Sequence, residues 1–126
     1  MVSREFRSHH RAGGLIGSRV AEAAGKAGYS VTRILRKPPL SETPGVLQHD
    51  LRLPLDDIPP VKSILHLAGG YAGAGRQALE RADLLITGNL IQWGVEHGVK
   101  EWVFASAAEV YGHVDGLATK KTLTSR

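Results

Sequence analysis

The chain has 126 residues, enough for one domain with a hydrophobic core, and its 42% hydrophobic and 22% charged residues are ordinary for a globular protein. It contains no apolar run near the ~18 residues of a membrane span, no apolar segment typical of a secretory signal, and no cysteine for disulfides or thiolate metal sites. The net charge of +4 is uneven, because residues 1–37 carry eight Lys/Arg and two Asp/Glu whereas residues 38–126 carry eight and ten. We expect a cytoplasmic protein without a membrane partner. Nucleic-acid binding is not expected either, since the basic first third lacks zinc spacing and interleaved aromatic residues.

The first eleven residues are polar, and in the last seven of them only Phe6 is apolar. A buried parallel strand is normally almost continuously apolar, which residues 1–11 are not. We therefore expect this segment to be an irregular N-terminal arm or a degraded first strand.

A glycine turn and an amphipathic helix come next. Apolar residues recur at helical spacing after Gly14, which predicts a helix over 15–27 that ends at Gly28. Backbone N–H groups at the start of such a helix favour the binding of a phosphate. The alternative interpretation is an ordinary helix entry.

The rest of the chain alternates between strand-like and helix-like segments. β-rich runs predict strands at 31–35, 45–54, 61–68 and 101–106, the last two of them buried. Apolar residues at i, i+3 and i+4 predict a long helix over 77–97. This alternation predicts an α/β fold with a parallel sheet.

Four sequence blocks occur in an order and at spacings that identify a family. They are Gly-Leu-Ile-Gly-Ser at 14–18, the β-rich run at 31–36, Ile-Leu-His-Leu-Ala-Gly at 64–69, and Val-Phe-Ala-Ser-Ala-Ala-Glu-Val-Tyr-Gly at 103–112. Together they resemble the N-terminal half of an extended short-chain dehydrogenase/reductase, the NAD(P)-dependent epimerase/dehydratase family. The resemblance implies a truncated Rossmann-like parallel sheet with flanking helices, in which the first strand lies between the second and the fourth. The dinucleotide-binding domain would then span 12–113, and 114–126 would be a polar tail.

The resemblance also implies a set of cofactor-binding positions. These are Gly14, Leu15, Ile16, Gly17, Arg36, Asp50, Leu51, Leu67, Ala68, Gly69, Asp83 and Ser106. Gly14 and Gly17 match the second and third glycines of the family's phosphate turn, whereas Arg11 stands in place of the first. Asp50 and Leu51 match an acidic–apolar pair that meets the adenine, and an ordinary loop aspartate is the alternative interpretation.

The predicted second strand ends in Arg36 and Lys37, with no carboxylate nearby to accept a hydrogen bond from a ribose 2′-hydroxyl. A guanidinium suits a 2′-phosphate, so we expect NADP rather than NAD. A solvated cation at the end of a strand is the alternative interpretation.

The family's catalytic residues are not matched. The catalytic Ser position corresponds to Ala107, next to Ser106, and no Tyr-x-x-x-Lys follows Tyr111. The histidines do not pair with carboxylates at metal-ligand spacing, and we expect His66 to be packed at the end of a strand. We predict no turnover by the chain alone. One hypothesis is the cofactor-binding part of an epimerase/dehydratase-type oxidoreductase that acts on a nucleotide sugar or a related substrate and whose C-terminal portion is missing. The others are a non-catalytic NADP-binding module and an interaction remnant that a partner or a second copy covers.

Overall fold

The computed structural model describes residues 2–4, 15–37, 43–69, 75–106, 115–117, 119 and 121. The elements in chain order are β1 (Val2–Arg4), α1 (Leu15–Lys26), β2 (Arg33–Leu35), β3 (Val46–Gln48), β4 (Ser63–His66), α2 (Arg76–Glu96) and β5 (Glu101–Phe104). Both predicted helices are confirmed to within one residue at each end. The strands are confirmed as well, each shorter than the apolar run that predicted it. Neither helix has the length and apolar character that crossing a membrane requires.

The five strands form one parallel sheet in the order β3-β2-β1-β4-β5. The central strand is β1, in which Ser3 lies opposite Ile34 of β2 on one side and opposite His66 of β4 on the other. This confirms the predicted position of the first strand between the second and the fourth. Because the strand order reverses at β1, the carboxyl ends of β1 and β4 border the crevice where sheets of this kind bind ligands.

The hydrophobic core lies between the sheet and α2. Ile34 and Ile64 contribute from β2 and β4, while α2 presents Ile86, Leu90 and Trp93, which share one face of the helix. Leu51, Leu55 and Val99 complete the buried cluster from the loops. The core therefore fixes α2 against the middle of the sheet, where β2 and β4 flank β1.

The segment 101–106 was predicted to form a buried strand. The strand is confirmed, but the prediction that it is buried is wrong. Every residue of β5 is exposed, including Trp102 at 39%, Val103 at 61% and Phe104 at 60%. The Trp102 ring still reaches inward, where it lies over Gly94 so closely that an added Cβ there would overlap it. The reason for the difference is topological, because β5 is an edge strand with only β4 beside it in the described part of the chain.

Candidate functional site

Most of the predicted site residues lie along one edge of the sheet. Arg36 directly follows β2, Asp50 comes shortly after β3, 67–69 directly follow β4, and Ser106 comes shortly after β5. Parallel strands all end at the same edge, so the fold brings together residues that are up to 70 positions apart in the sequence. This is the edge at which open α/β sheets bind ligands.

The start of α1 belongs to the same edge because this helix follows β1 and packs against it. Leu15, Ile16 and Gly17 form its first turn, in which Gly17 is buried. Arg33 Nη2 donates to Ser18 Oγ at 3.1 Å and so ties β2 to this turn. Gly14 and Arg11, on which the predicted phosphate turn depends, lie outside the described residues.

Asp50 is held as a carboxylate by Arg52. Its Oδ1 accepts from the backbone N–H of Arg52 at 3.0 Å and from Nε at 2.9 Å, while Oδ2 accepts from Nη2 at 2.5 Å. The side-chain hydrogen bonds from Arg52 lower the pKa of Asp50 to about 2; burial opposes them, and the charges of Arg52 and Arg36 assist. The ends of β2 and β3 therefore form a small electrostatic unit of one carboxylate and two guanidinium groups.

Leu51, the neighbour of Asp50, is fixed from α2. Its side chain is buried, and its carbonyl oxygen accepts a hydrogen bond from Asn89 Nδ2 at 2.9 Å. We did not predict this role for Asn89 from the sequence. Its position within the apolar stripe of α2 was the available signal, because an asparagine inside a helix is favoured only where its side chain finds a hydrogen-bond partner.

His66, the last residue of β4, is buried with 4% of its surface exposed. Its Nε2 lies 2.9 Å from Thr87 Oγ1 of α2, and its Nδ1 accepts from the backbone N–H of Ala68 at 3.3 Å. The Phe104 ring packs edge-on against it, with 5.1 Å between ring centroids. The prediction that His66 is packed at the end of a strand is confirmed.

Two further predicted residues lie near His66. Burial lowers the pKa of His66, and the charge of Asp83 on α2 opposes this shift. Asp83 also borders Gly69, since its Oδ1 would lie 3.7 Å from a Cβ added to that glycine. Two residues of α2 therefore act on the segment 67–69. Thr87 holds it indirectly, through the hydrogen bonds of His66, and Asp83 lies beside Gly69.

The family's catalytic block is only partly described. Within this block, Ser106 is exposed, and the backbone N–H of the preceding Ala105 donates to the carbonyl oxygen of His66 at 3.1 Å. Ala107 and Tyr111 lie outside the described residues. Within the described part, no group of three or more His, Asp or Glu residues is arranged to hold a metal ion.

The Asp50–Arg52 pair is expected to make stability sensitive to acid. A folded pKa of about 2, against an ordinary value of 3.8, contributes stability that is present above pH 3.8 and is lost as the pH falls through about 2. Because Arg52 is half-exposed, we expect a contribution of about 1 kcal/mol, below the full value of the shift. Urea unfolding at pH 5 and pH 2 should show that Arg52→Ala loses less stability on acidification than the wild type.

The matched control is Arg76→Ala, which removes the exposed pair between Arg76 and Glu80 on α2. This variant should keep the acid dependence of the wild type. Equal acid dependence in the wild type and in Arg52→Ala would contradict the role given to the Asp50 carboxylate.

Comparison with known proteins gives a family and a fold. The chain matches the family described as "NAD dependent epimerase/dehydratase family" over residues 12–126. A crystal structure of UDP-galactose 4-epimerase superimposes with a TM-score of 0.71 at 23% sequence identity, covering 89% of this chain and 42% of that chain. At this identity the likeness establishes the Rossmann-like fold, and the chain spans less than half of that protein's length. No curated protein matches the chain in sequence.

Proposed function

The chain belongs to the NAD-dependent epimerase/dehydratase family, and from that premise we propose that it binds a nicotinamide dinucleotide at the carboxyl edge of its sheet. The observation that carries this proposal is the parallel sheet, whose strand order reverses at β1 and whose strand direction gathers the ends of β2, β3 and β4 beside the start of α1. When bound, the dinucleotide supplies a nicotinamide ring that accepts or donates hydride.

The residues at this edge fit such a ligand. The first turn of α1 would present backbone N–H groups to the pyrophosphate. The segment 67–69 would lie against the ligand, with Gly69 leaving its backbone accessible from one side. Asp50 is the exception, because its oxygens already accept four hydrogen bonds from Arg52, and an adenine amino group would have to displace one of them.

The cofactor in this proposal is NADP rather than NAD. Arg36 is half-buried where β2 ends, and its positive charge acts on Asp50 of the neighbouring strand end. A guanidinium at this position would bind the 2′-phosphate with charge-assisted hydrogen bonds. A carboxylate, which would accept from the 2′-hydroxyl of NAD, does not occur between 31 and 37.

We further propose that the chain binds its cofactor without turning over substrate. Ala107 stands at the matched position of the catalytic Ser, and none of the tyrosines is followed by a lysine at the fourth position. We propose that a further polypeptide would supply these groups, and that the substrate would be a nucleotide sugar or a related alcohol or carbonyl compound, as the name of the similar epimerase suggests. In such a division of roles, this chain positions the dinucleotide.

A thermal-unfolding titration with NADPH and NADH tests the proposal. At a hundredfold excess over Kd, one-site binding should stabilise the chain by about 2.7 kcal/mol. We expect a cooperative transition that NADPH shifts to higher temperature and that NADH shifts less. A cooperative transition that neither nucleotide moves would contradict the proposed function.

A transition that neither nucleotide moves would favour another role, and the exposed strand β5 supports it. Trp102, Val103 and Phe104 expose apolar surface on a strand that has only β4 beside it among the described residues, and proteins usually cover an edge of this kind. In this alternative the chain is an interaction domain, and a partner polypeptide pairs with or packs on β5.

A further inference from the structure

His66 is a buried polar residue for which the proposed dinucleotide site gives no role. Among the described residues it is the one polar or charged side chain that is buried. It lies where β4, α2 and β5 meet, and it contacts the backbone two residues further along the chain. That backbone belongs to the segment 67–69, which we propose to lie against the dinucleotide.

The hydrogen bonds of His66 define which ring nitrogen carries the proton. The backbone N–H of Ala68 can only donate, so Nδ1 of His66 must be an unprotonated acceptor. In a neutral ring the proton is therefore on Nε2, which donates to Thr87 Oγ1 at 2.9 Å. Both ring nitrogens are satisfied only in this neutral tautomer.

A second proton on the ring would disrupt this arrangement. It would occupy Nδ1 and point at the N–H of Ala68, so that two donors would face each other across 3.3 Å. The contact between His66 and Ala68 would change from attraction to repulsion, and the backbone at 67–69 would have to move. The hydrogen bond between Nε2 and Thr87 would persist, so the change falls on the segment and not on α2.

We propose that neutral His66 is a positioning residue, which holds the backbone of Ala68 in the conformation that binds the dinucleotide and releases it when the ring is protonated. This inference rests on the proposed dinucleotide site. It adds that cofactor affinity is linked to the protonation of one named side chain that does not itself touch the ligand.

The groups around the His66 ring determine the pH range in which protonation changes cofactor affinity. Burial favours the neutral ring, while Asp83 from α2 contributes a negative charge that favours the protonated ring. β5 presents the uncharged Phe104 ring, and α2 adds the Thr87 hydroxyl. Burial prevails, which places the pKa of His66 below its ordinary 6.5. The chain is therefore competent to bind at neutral pH and loses competence on acidification.

Three proteins measured from pH 8 to pH 5 test the inference. His66→Asn places an amide oxygen near the position of Nδ1, where it accepts from Ala68 and does not titrate. His66→Gln reaches toward Thr87 instead and leaves the N–H of Ala68 without its acceptor. The ligand is NADP⁺, which withstands acid better than NADPH, and its Kd is measured by calorimetry.

We expect the affinity of the wild type to fall by up to about tenfold for each pH unit below the folded pKa of His66, because the protonated chain would be incompetent. His66→Asn should keep its affinity near constant apart from the titration of the ligand itself. His66→Gln should bind weakly at every pH. Urea unfolding of each variant at pH 7.5 separates a loss of affinity from a loss of fold.

A second readout does not require the ligand. The ¹H–¹⁵N resonance of the Ala68 amide should shift with pH in the wild type, with the same midpoint as the ring of His66, and should not do so in His66→Asn. An Ala68 amide that ignores the titration of His66 overturns the inference.

The binding measurement separates the two levels of the proposal. Parallel loss of affinity in the wild type and in His66→Asn overturns the positioning role and leaves dinucleotide binding intact. Absence of NADP⁺ binding in the folded wild type at every pH overturns the proposed function, and this inference with it.

Discussion

Replacing Leu90 by alanine is expected to lower the free energy of unfolding by about 2–5 kcal/mol, the range observed for leucine-to-alanine changes in protein cores. Leu90 is fully buried, at 0% exposure, within the cluster that joins α2 to β2 and β4. The substitution removes apolar contacts and leaves a cavity that a 21-residue helix can close only partly. Typical domains are stable by about 5–15 kcal/mol, so this one change would remove a large part of the stability.

The matched control for Leu90→Ala is Leu84→Ala in the same helix. Leu84 is 74% exposed, so the change keeps the chemistry and the helix context but removes no core contact. Its effect should stay within about 0.5 kcal/mol. Urea unfolding gives both values from the transition midpoints, provided that the slopes agree. Similar losses in the two variants would contradict the assignment of the core to the face of α2 that carries Leu90.

Replacing Arg36 by glutamate is expected to weaken NADPH binding by about 10- to 100-fold, because hydrogen bonds between charged groups contribute about 1.5–3 kcal/mol. The substitution removes the guanidinium that we propose to bind the 2′-phosphate and places a second negative charge near Asp50. Because NADH has a 2′-hydroxyl and no 2′-phosphate, its affinity should not fall, since the introduced carboxylate can accept a hydrogen bond from that hydroxyl. Calorimetric titration of both nucleotides at low salt, where screening is weakest, gives the two ratios.

Lys37→Glu provides the control for charge alone. Lys37 follows Arg36 directly and is exposed, so its reversal changes the net charge of the chain by the same amount. It should weaken NADPH binding far less than Arg36→Glu does. If both variants lose NADPH affinity equally, general electrostatic attraction accounts for the preference. If Arg36→Glu weakens NADPH and NADH alike, the guanidinium contributes to the fold of the site and not to the choice of nucleotide.

The parts of this structure that were predictable from the sequence depend on short-range patterns. The helices α1 and α2 follow from apolar residues at helical spacing over 15–27 and 77–97, which neighbouring turns of the same helix bring onto one face. The strands β2 to β5 follow from β-rich runs, and the helices that separate some of these strands favour a parallel sheet. The sequence resemblance placed β1 at the centre, as the observed strand order confirms.

The parallel direction of the strands in turn brought Arg36, Asp50 and the segment 67–69 to one edge, and this placement also was predictable. Parallel strands have their carboxyl ends on the same side whatever their individual sequences, so a correct topology is enough to gather these residues. What each residue does at that edge was not predictable from its position alone.

The contacts that define the site were decided only by the tertiary structure. Asn89 reaches the carbonyl of Leu51 across 38 residues, and His66 reaches Thr87 across 21. The burial of β5 was likewise not determined by its sequence. Apolar residues show that a strand can be buried, but the elements that pack beside it decide whether it is. The amino-acid sequence by itself therefore determined the elements and the edge at which they meet, since these depend on periodicity and chain direction. Tertiary packing decided which polar groups are paired there, because hydrogen bonds form between atoms that are close in space, whatever their separation along the chain.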